Sequence, residues 1–399
     1  MKKSINNSLY LLLACTFLSG AIALYAGSKN TNMPQVSART IEQSFQAPID
    51  RTEIKATKKI KLALLLDTSG SMDGLIDQAK SQLWTIVNEL AAAKCDEAKP
   101  EVQIALYEYG NDGLPASEGY IRLVTPLTND LDKLSQDLFG LKTNGGSEFC
   151  GHVIQTACRQ LDWSSDGSDL QIIFIAGNEP FTQGNINYQM ACAEAKRKNI
   201  VVNTIFCGDF QEGINTSWKA GSDLTQGTYA SIEQNSKTIF IPSPYDDKID
   251  HLNTQLNNTY IEYGREGREK KELQSRQDAQ SESYGAANKV NRAVSKSTHV
   301  YKNKSWDMVD AAEDESFDVT KVTKDQLPEA MKNMTDEQKK NYVKQKTVER
   351  EKIKIEIQEL NKKRTEYLIA QKKNDKDNML DKSMINAIKM QAEKKNFKF

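Results

Sequence analysis

The residues with the most evident chemistry are Asp67-Thr68-Ser69-Gly70-Ser71, which follow directly on the apolar run Ile60-Lys61-Leu62-Ala63-Leu64-Leu65-Leu66. Asp supplies a hard anionic oxygen, and the two serine hydroxyls supply neutral ones. On a turn from strand to helix all three converge on one point, the oxygen-only donor set that suits Mg2+ or Mn2+. The same residue types also cap helices, because their side chains accept the free N–H groups of a first turn. The motif therefore has two readings: a cation site, or a capped helix whose loop is a metal-free binding surface. Enzyme patterns are absent. Ser69 and Ser71 do not stand in G-x-S-x-G, Asp67-Thr68-Ser69 lacks the second carboxylate of a phosphatase motif, and no G-x-x-x-x-G-K-S/T loop occurs. Cys150 lies near His152, but a cysteine at a helix start is more simply a structural residue. The expectation is a binding protein and not an enzyme.

These groups need a scaffold, and the chain reads as one. Ile60–Leu66 has the near-continuous apolar character of a strand buried on both faces. From Gly74 to Ala93, Leu75, Ala79, Leu83, Ile86, Val87 and Leu90 fall on one side of a helix. Strands are expected at Val102–Tyr109, Tyr120–Val124 (a short antiparallel edge), Leu170–Ala176, Ile200–Cys207 and, weakly, Thr228–Ile232. Helices are expected near 130–140, 148–161, 186–198, 217–224 and 246–258. This alternation argues an α/β fold, a doubly wound and mostly parallel six-stranded sheet with helices on both faces. Ligands of such sheets bind at the carboxyl ends of the strands, here just after Leu66, Ala176 and Cys207.

With these elements in order, residues 59–258 resemble a von Willebrand factor A-type (vWA) domain, a Rossmann-like fold. D-x-S-x-S after the first strand is the first motif of that family's metal-ion-dependent adhesion site, and the resemblance covers about half of the chain. It implies protein–protein binding, with Mg2+ or Mn2+ held by Asp67, Ser69 and Ser71 and completed by an acidic side chain of the partner. The family's second motif, a Thr after Gly-Gly, falls on Ser147 in Thr143-Asn144-Gly145-Gly146-Ser147-Glu148, which keeps the hydroxyl. The third, an Asp after the fourth strand, falls on Gly177 in Phe174-Ile175-Ala176-Gly177-Asn178-Glu179. That departure removes one carboxylate and makes the site degenerate; Glu148, Asn178 and Glu179 are the candidates to replace it. On this basis the ion's one assured protein charge is Asp67, and Gly177→Asp is expected to strengthen metal binding where the backbone accepts the side chain.

The remainder bounds the setting. Lys+Arg is 53 and Asp+Glu is 54, a net charge of -1 that gives no basic excess for nucleic acid or an anionic membrane. Hydrophobic residues are 38% and mean hydropathy is -0.62, because a charged stretch after Tyr260 dilutes an apolar one before it. Met1-Lys2-Lys3 and the apolar Leu9–Ala26 read as an export signal. Cleavage after Ala21-Ile22-Ala23 or at Ala26, lipidation at Cys15 and retention as a membrane anchor all remain open. The divisions are then 1–26 signal or anchor, 27–58 linker, 59–258 vWA domain, 259–304 charged helix and flexible linker, and 305–399 helical C-terminal region. Export implies a periplasmic or envelope location, where disulfides form. Five cysteines follow the signal, and Cys192 with Cys207 is the expected bridge, since a helix start and the next strand's end share one edge of the sheet; Cys150 is the competing partner.

In the C-terminal region Ser305-Trp306-Asp307-Met308-Val309 is an apolar island. Thr335 and Gln338 form a capping box that opens a long helix. Ile353, Ile357, Leu360 and Tyr367 share a stripe that Arg350 and Arg364 interrupt. A helical hairpin with the face Leu380, Met384, Ile385 and Ile388 is favoured over an intermolecular coiled coil. The charged tail and its end, Phe397-Lys398-Phe399, are similar in style to those of exported bacterial vWA proteins. A metal-free scaffold acting through this region, or a regulatory subunit of a multiprotein machine, are the alternative functions; export argues against a cytosolic ATPase as the machine. The N-terminus gives the first test. A C-terminally tagged chain is expected in the envelope or periplasm on fractionation, and full-length protein recovered in the cytosol overturns export.

Overall fold

The computed structural model describes residues 57–95, 98–236, 241–371 and 379–399. The run Leu9–Ala26, Cys15 and nearly all of the linker lie outside the described residues. The chain runs β1 (Lys59–Asp67), α1 (Asp73–Ala92), β2 (Lys94–Cys95), β3 (Glu101–Tyr109), β4 (Ile121–Thr128), α2 (Leu131–Phe139), α3 (Cys150–Gln160), β5 (Leu170–Gly177), α4 (Tyr188–Arg197), β6 (Val201–Phe206), α5 (Phe210–Asn215), α6 (Trp218–Asp223), β7 (Tyr229–Ser231) and α7 (Asp246–Asn257). It continues with α8 (Gly267–Ser283), α9 (Ala286–Lys296), α10 (Met308–Ala311), α11 (Asp336–Gln371), α12 (Leu380–Glu393) and β8 (Phe397–Lys398).

Six strands form one sheet in the order β4-β3-β1-β5-β6-β7, parallel except for β4, the antiparallel edge. β1 is hydrogen-bonded on both sides, in register with β3 from Lys59↔Glu101 to Asp67↔Tyr109 and with β5 from Ile60↔Leu170 to Leu66↔Ala176. Its side chains alternate. Ile60, Leu62, Leu64 and Leu66 pack under α1, while Ala63 and Leu65 join Tyr107, Tyr109, α3 and α4 on the other face. A strand buried on both faces needs apolar residues at both parities, which is why its sequence is a run and not an alternation.

That alternation rules out the expected Cys192–Cys207 bridge. Phe206 packs in the α3–α4 layer with Cys192, so Cys207, one residue on, faces the α1 layer, and the sheet lies between the two thiols. All five described cysteines are buried and free.

The C-terminal region departs most from expectation. Residues 259–304 are not a flexible connection. They form α8 and α9, which pack on the domain, α8 against α2 and α9 against α1. Nor do α11 and α12 make a hairpin. α11 lies on α7, α9 and α10, and α12 lies on α1, β5 and β6. The capping box is as read: Thr335 N donates to Gln338 Oε1 at 2.8 Å and Gln338 N to Thr335 Oγ1 at 3.3 Å. Ile353, Ile357 and Leu360 enter the same core as α1, each contributing ~1.5–3 kcal/mol of apolar burial.

The arginines that interrupt the stripe are its anchors. Arg350 is 1% exposed; its Nη1 donates to Asp307 Oδ2 at 2.5 Å and to Asp310 Oδ1 at 2.7 Å, and its Nε to Thr259 Oγ1 at 2.9 Å. Its guanidinium stacks 4.0 Å over the Tyr260 ring. Arg364 Nε donates to Asp246 Oδ1 at 2.8 Å. In the neighbouring layer Arg292 is bonded to Asp278 and Asp132 and lies over Trp84 of α1. Removing one member of such a set strands the other charges in a medium that cannot solvate them. Arg350→Ala is therefore expected to cost ~3–5 kcal/mol in denaturant unfolding, well beyond a surface arginine; a loss under about 1 kcal/mol, as for a solvent-exposed ion pair, contradicts the assignment.

Candidate functional site

Because β1, β3, β5 and β6 run in one direction, the loops that follow them meet at one edge of the sheet. Asp67 ends β1 there and is fully buried. Its Oδ1 accepts Ser69 N at 2.7 Å, so the carboxylate braces its own loop and does not cap the next helix. α1 begins after Met72 with no side-chain cap, so the capping account of Asp67, Ser69 and Ser71 does not hold. The hydroxyls are instead turned together. Ser69 Oγ and Ser71 Oγ lie 3.3 Å apart, and Asn178 Nδ2 donates to Ser71 Oγ at 3.2 Å.

The loop before α3 closes over this turn. Asn144 N donates to the Thr68 carbonyl at 2.9 Å, and Asp112 N, from the loop after β3, donates to the Gly145 carbonyl at 2.5 Å. This brings half-buried Ser147 and buried Glu148 to the same edge. The Glu148 carboxylate adjoins Asp67 and accepts Glu179 N at 3.3 Å through Oε2. Glu179 contributes this backbone contact; its own carboxylate accepts Gln183 Nε2 at 3.2 Å. Of the three candidate replacements, Glu148 and Asn178 thus reach the cluster, and the Glu179 side chain is held by Gln183.

Burial drives the Asp67 carboxyl well above the ordinary range, and the adjoining Glu148 carboxylate drives it further. Asp67 Oδ2 and Asn178 Oδ1 are buried without a hydrogen-bond partner. Two adjoining carboxylates and unpaired oxygens are the environment that a proton or a cation relieves. Oxygen donors of this kind fit a hard divalent ion, with the hydroxyls making up the set. Among the described residues no group of three or more His, Cys, Asp and Glu is placed to hold a metal, so the fit depends on Ser69, Ser71 and Ser147 as well as the acids.

Two glycines and a tyrosine set the floor of the site, and only Gly177 among them was singled out by sequence. Gly110 has φ +78°, and a Cβ there would lie 2.8 Å from Asp67 Oδ1. Tyr109 Oη donates to the Ala176 carbonyl at 3.0 Å. A Cβ on Gly177 would lie 2.5 Å from that hydroxyl and 3.0 Å from Asp67 Oδ2. The tyrosine hydroxyl thus stands in the space that a side chain at 177 needs, although the backbone there is not in the left-handed region. The position of the missing carboxylate is packed by Tyr109, and Glu148 adjoins Asp67 from another loop.

Residues 61–216 match the family described as von Willebrand factor type A domain. Among solved structures, the SpRpn10 VWA domain is 19% identical at a TM-score of 0.32, covering 43% of this chain and 87% of that one. The conserved hypothetical protein BatB from Bacteroides thetaiotaomicron is 15% identical at 0.34, covering 44% and 91%. An aerotolerance-related membrane protein from Bacteroides fragilis is 14% identical at 0.31, covering 44% and 93%. No curated protein matches the chain.

The packing at Gly177 gives a reason to expect the opposite of the sequence reading. Gly177→Asp is expected to destabilise the chain by ~1–3 kcal/mol, as overpacking does, and not to strengthen metal binding. Adding Tyr109→Phe removes the obstructing hydroxyl and should restore part of that loss. Thermal unfolding of the two variants decides it: no loss for Gly177→Asp, or no recovery in the pair, contradicts the steric account.

Proposed function

We propose that this chain, which carries a von Willebrand factor type A domain at residues 61–216, is a binding protein and not an enzyme. In this reading the carboxyl edge of the sheet engages a partner protein through a divalent cation. The observation that supports it most is the buried Asp67 carboxylate, with Oδ2 unpartnered and Glu148 beside it. Asp67, Ser69, Ser71 and Ser147, with Glu148, would hold Mg2+ or Mn2+. Such an ion supplies an electrophilic point that an acidic side chain of the partner can complete. The chain's own residues set the strength of that pull. One carboxylate would leave the ion weakly held and strongly attractive to an incoming anion. Two hold it better alone and soften the pull, so metal and partner depend on each other less steeply than Asp67 alone would make them.

The setting we propose is the cell envelope, from the Lys2-Lys3 start and the apolar Leu9–Ala26 run. No helix among the described residues is long and apolar enough to cross a membrane, so any membrane contact is assigned to the N-terminal segment.

Calorimetry on the full chain tests the cation. Binding of Mn2+ is expected for the wild type, to weaken in Glu148→Gln and to vanish in Asp67→Ala. In a pull-down from an envelope fraction, partner capture should fall with chelator and with Asp67→Ala together. No heat and no thermal shift at millimolar Mg2+ or Mn2+, with Asp67→Ala retaining its partner, sinks the metal-dependent reading.

A further inference from the structure

The loops at the carboxyl edge carry mostly negative charge. Six acids there are exposed: Asp73 at the start of α1, Asp112 and Glu118 after β3, Asp209 and Glu212 after β6, and Glu233 after β7. The described residues of these same loops include one lysine, Lys142. No ion pair neutralises any of the six among the described residues; Asp73 accepts the Thr143 hydroxyl, and Asp209 accepts Gln211 N and Glu212 N at the start of α5. The chain as a whole is nearly neutral, at -1, so the excess at this edge is local. Asp73, Asp209 and Glu212 suit the helix N-termini where they stand, but Asp112 and Glu233 serve no helix start. At the centre lies Asp67, fully buried with an unpartnered oxygen. At the β6 end, Phe210 is 53% exposed, with its ring 5.0 Å from that of Tyr229. Phe174, Phe181 and Phe206 are by contrast buried.

We infer that the partner presented to this edge is a basic polypeptide segment, rich in Lys and Arg, with an apolar residue set to cover Phe210. The inference rests on the reading of this edge as a protein-binding face, and it corrects the charge of the expected ligand. One carboxylate can reach the cation, but acidic neighbours around it would face the ring of acids. Like charges set against each other across an interface disfavour a partner, and opposite charges raise its association rate. An exposed aromatic beside a charged rim is the usual composition of a contact centre. The same field repels nucleic acid and anionic lipid from this edge.

The test uses two fluorescein-labelled synthetic peptides on the full chain, by anisotropy at low salt with Mg2+ present. One has a single Asp and a Leu flanked by lysines and arginines; the other has the same centre flanked by glutamates. The basic peptide is expected to bind and the acidic one not. The triple variant Asp112→Lys, Glu118→Lys, Glu212→Lys should weaken the basic peptide about tenfold or more, and salt should do the same. Phe210→Ala should weaken it without changing the salt dependence. Unchanged thermal unfolding of the variants shows that they fold. Equal or tighter binding of the acidic peptide, or no effect of the triple reversal, overturns the inference. Asp67→Asn separates the two readings. If the basic peptide still binds to Asp67→Asn and to chelated protein, the rim selects its ligand and the cation reading fails alone. If Mn2+ binds by calorimetry but rim reversal changes nothing, the cation reading stands and this inference fails.

Discussion

Strand β1 is hydrogen-bonded along both edges and packed on both faces, so Asp67 at its carboxyl end leaves the sheet without reaching water. Much of this edge answers to that buried carboxylate. Its own loop turns back to give it Ser69 N. Gly110 lies beside it because a Cβ there would strike Oδ1, and Gly177 because a Cβ would strike both Oδ2 and the Tyr109 hydroxyl. Glu148 then adds a second carboxylate where water cannot screen the first. An isolated charge in such a place is costly, and the usual reliefs are a proton, a counter-charge or a metal. The raised Asp67 carboxyl and its unpartnered oxygen express the same fact from two sides.

Behind this edge, α1 is enclosed by the C-terminal part of the chain. α9 and α12 pack along it, and α12 presents the backbone N–H groups of Leu380 and Asp381 to Gln78 and Gln82 of α1. Arg292, Arg350 and Arg364 fasten these layers through buried ion pairs. Apolar replacements of equal volume would hold as well or better, since burying charge costs about what pairing returns. What the pairs add is direction. A guanidinium held by Asp307, Asp310 and Thr259 fixes where α11 sits along its groove, which an aliphatic stripe leaves free to slide. The outer side of α11 keeps Val348, Ile355 and Ile369 exposed, so the helix is apolar on more than the face it buries.

Much of this was legible in the sequence. The order of strands and helices, a short edge strand read at Tyr120–Val124 and found at Ile121–Thr128, the buried character of Ile60–Leu66, the Asp67–Ser71 turn and the Thr335–Gln338 cap are all set by neighbours within a few residues. Periodicity and turn chemistry act over that range, and so they can be read along one chain. Arg350 and Arg364 were visible as breaks in an apolar stripe, but their meaning was not, because the acids that receive them lie 40 or more residues away.

Tertiary structure decided what depends on which strand lies beside which. It placed Glu148 next to Asp67 and set the Tyr109 hydroxyl in the volume of a side chain at 177. It also put Cys192 and Cys207 on opposite faces of the sheet and gathered acids from separate loops onto one edge. Each of these is a contact or a parity between segments far apart in the chain. The physical reason is that a residue's type fixes what it can donate, accept or bury, while the sheet order and the packed layers fix which partner it meets. The sequence by itself therefore determined a vWA-like scaffold and the loop that holds Asp67; the packing determined that Glu148 adjoins Asp67 and that the Tyr109 hydroxyl stands where a side chain at Gly177 would go.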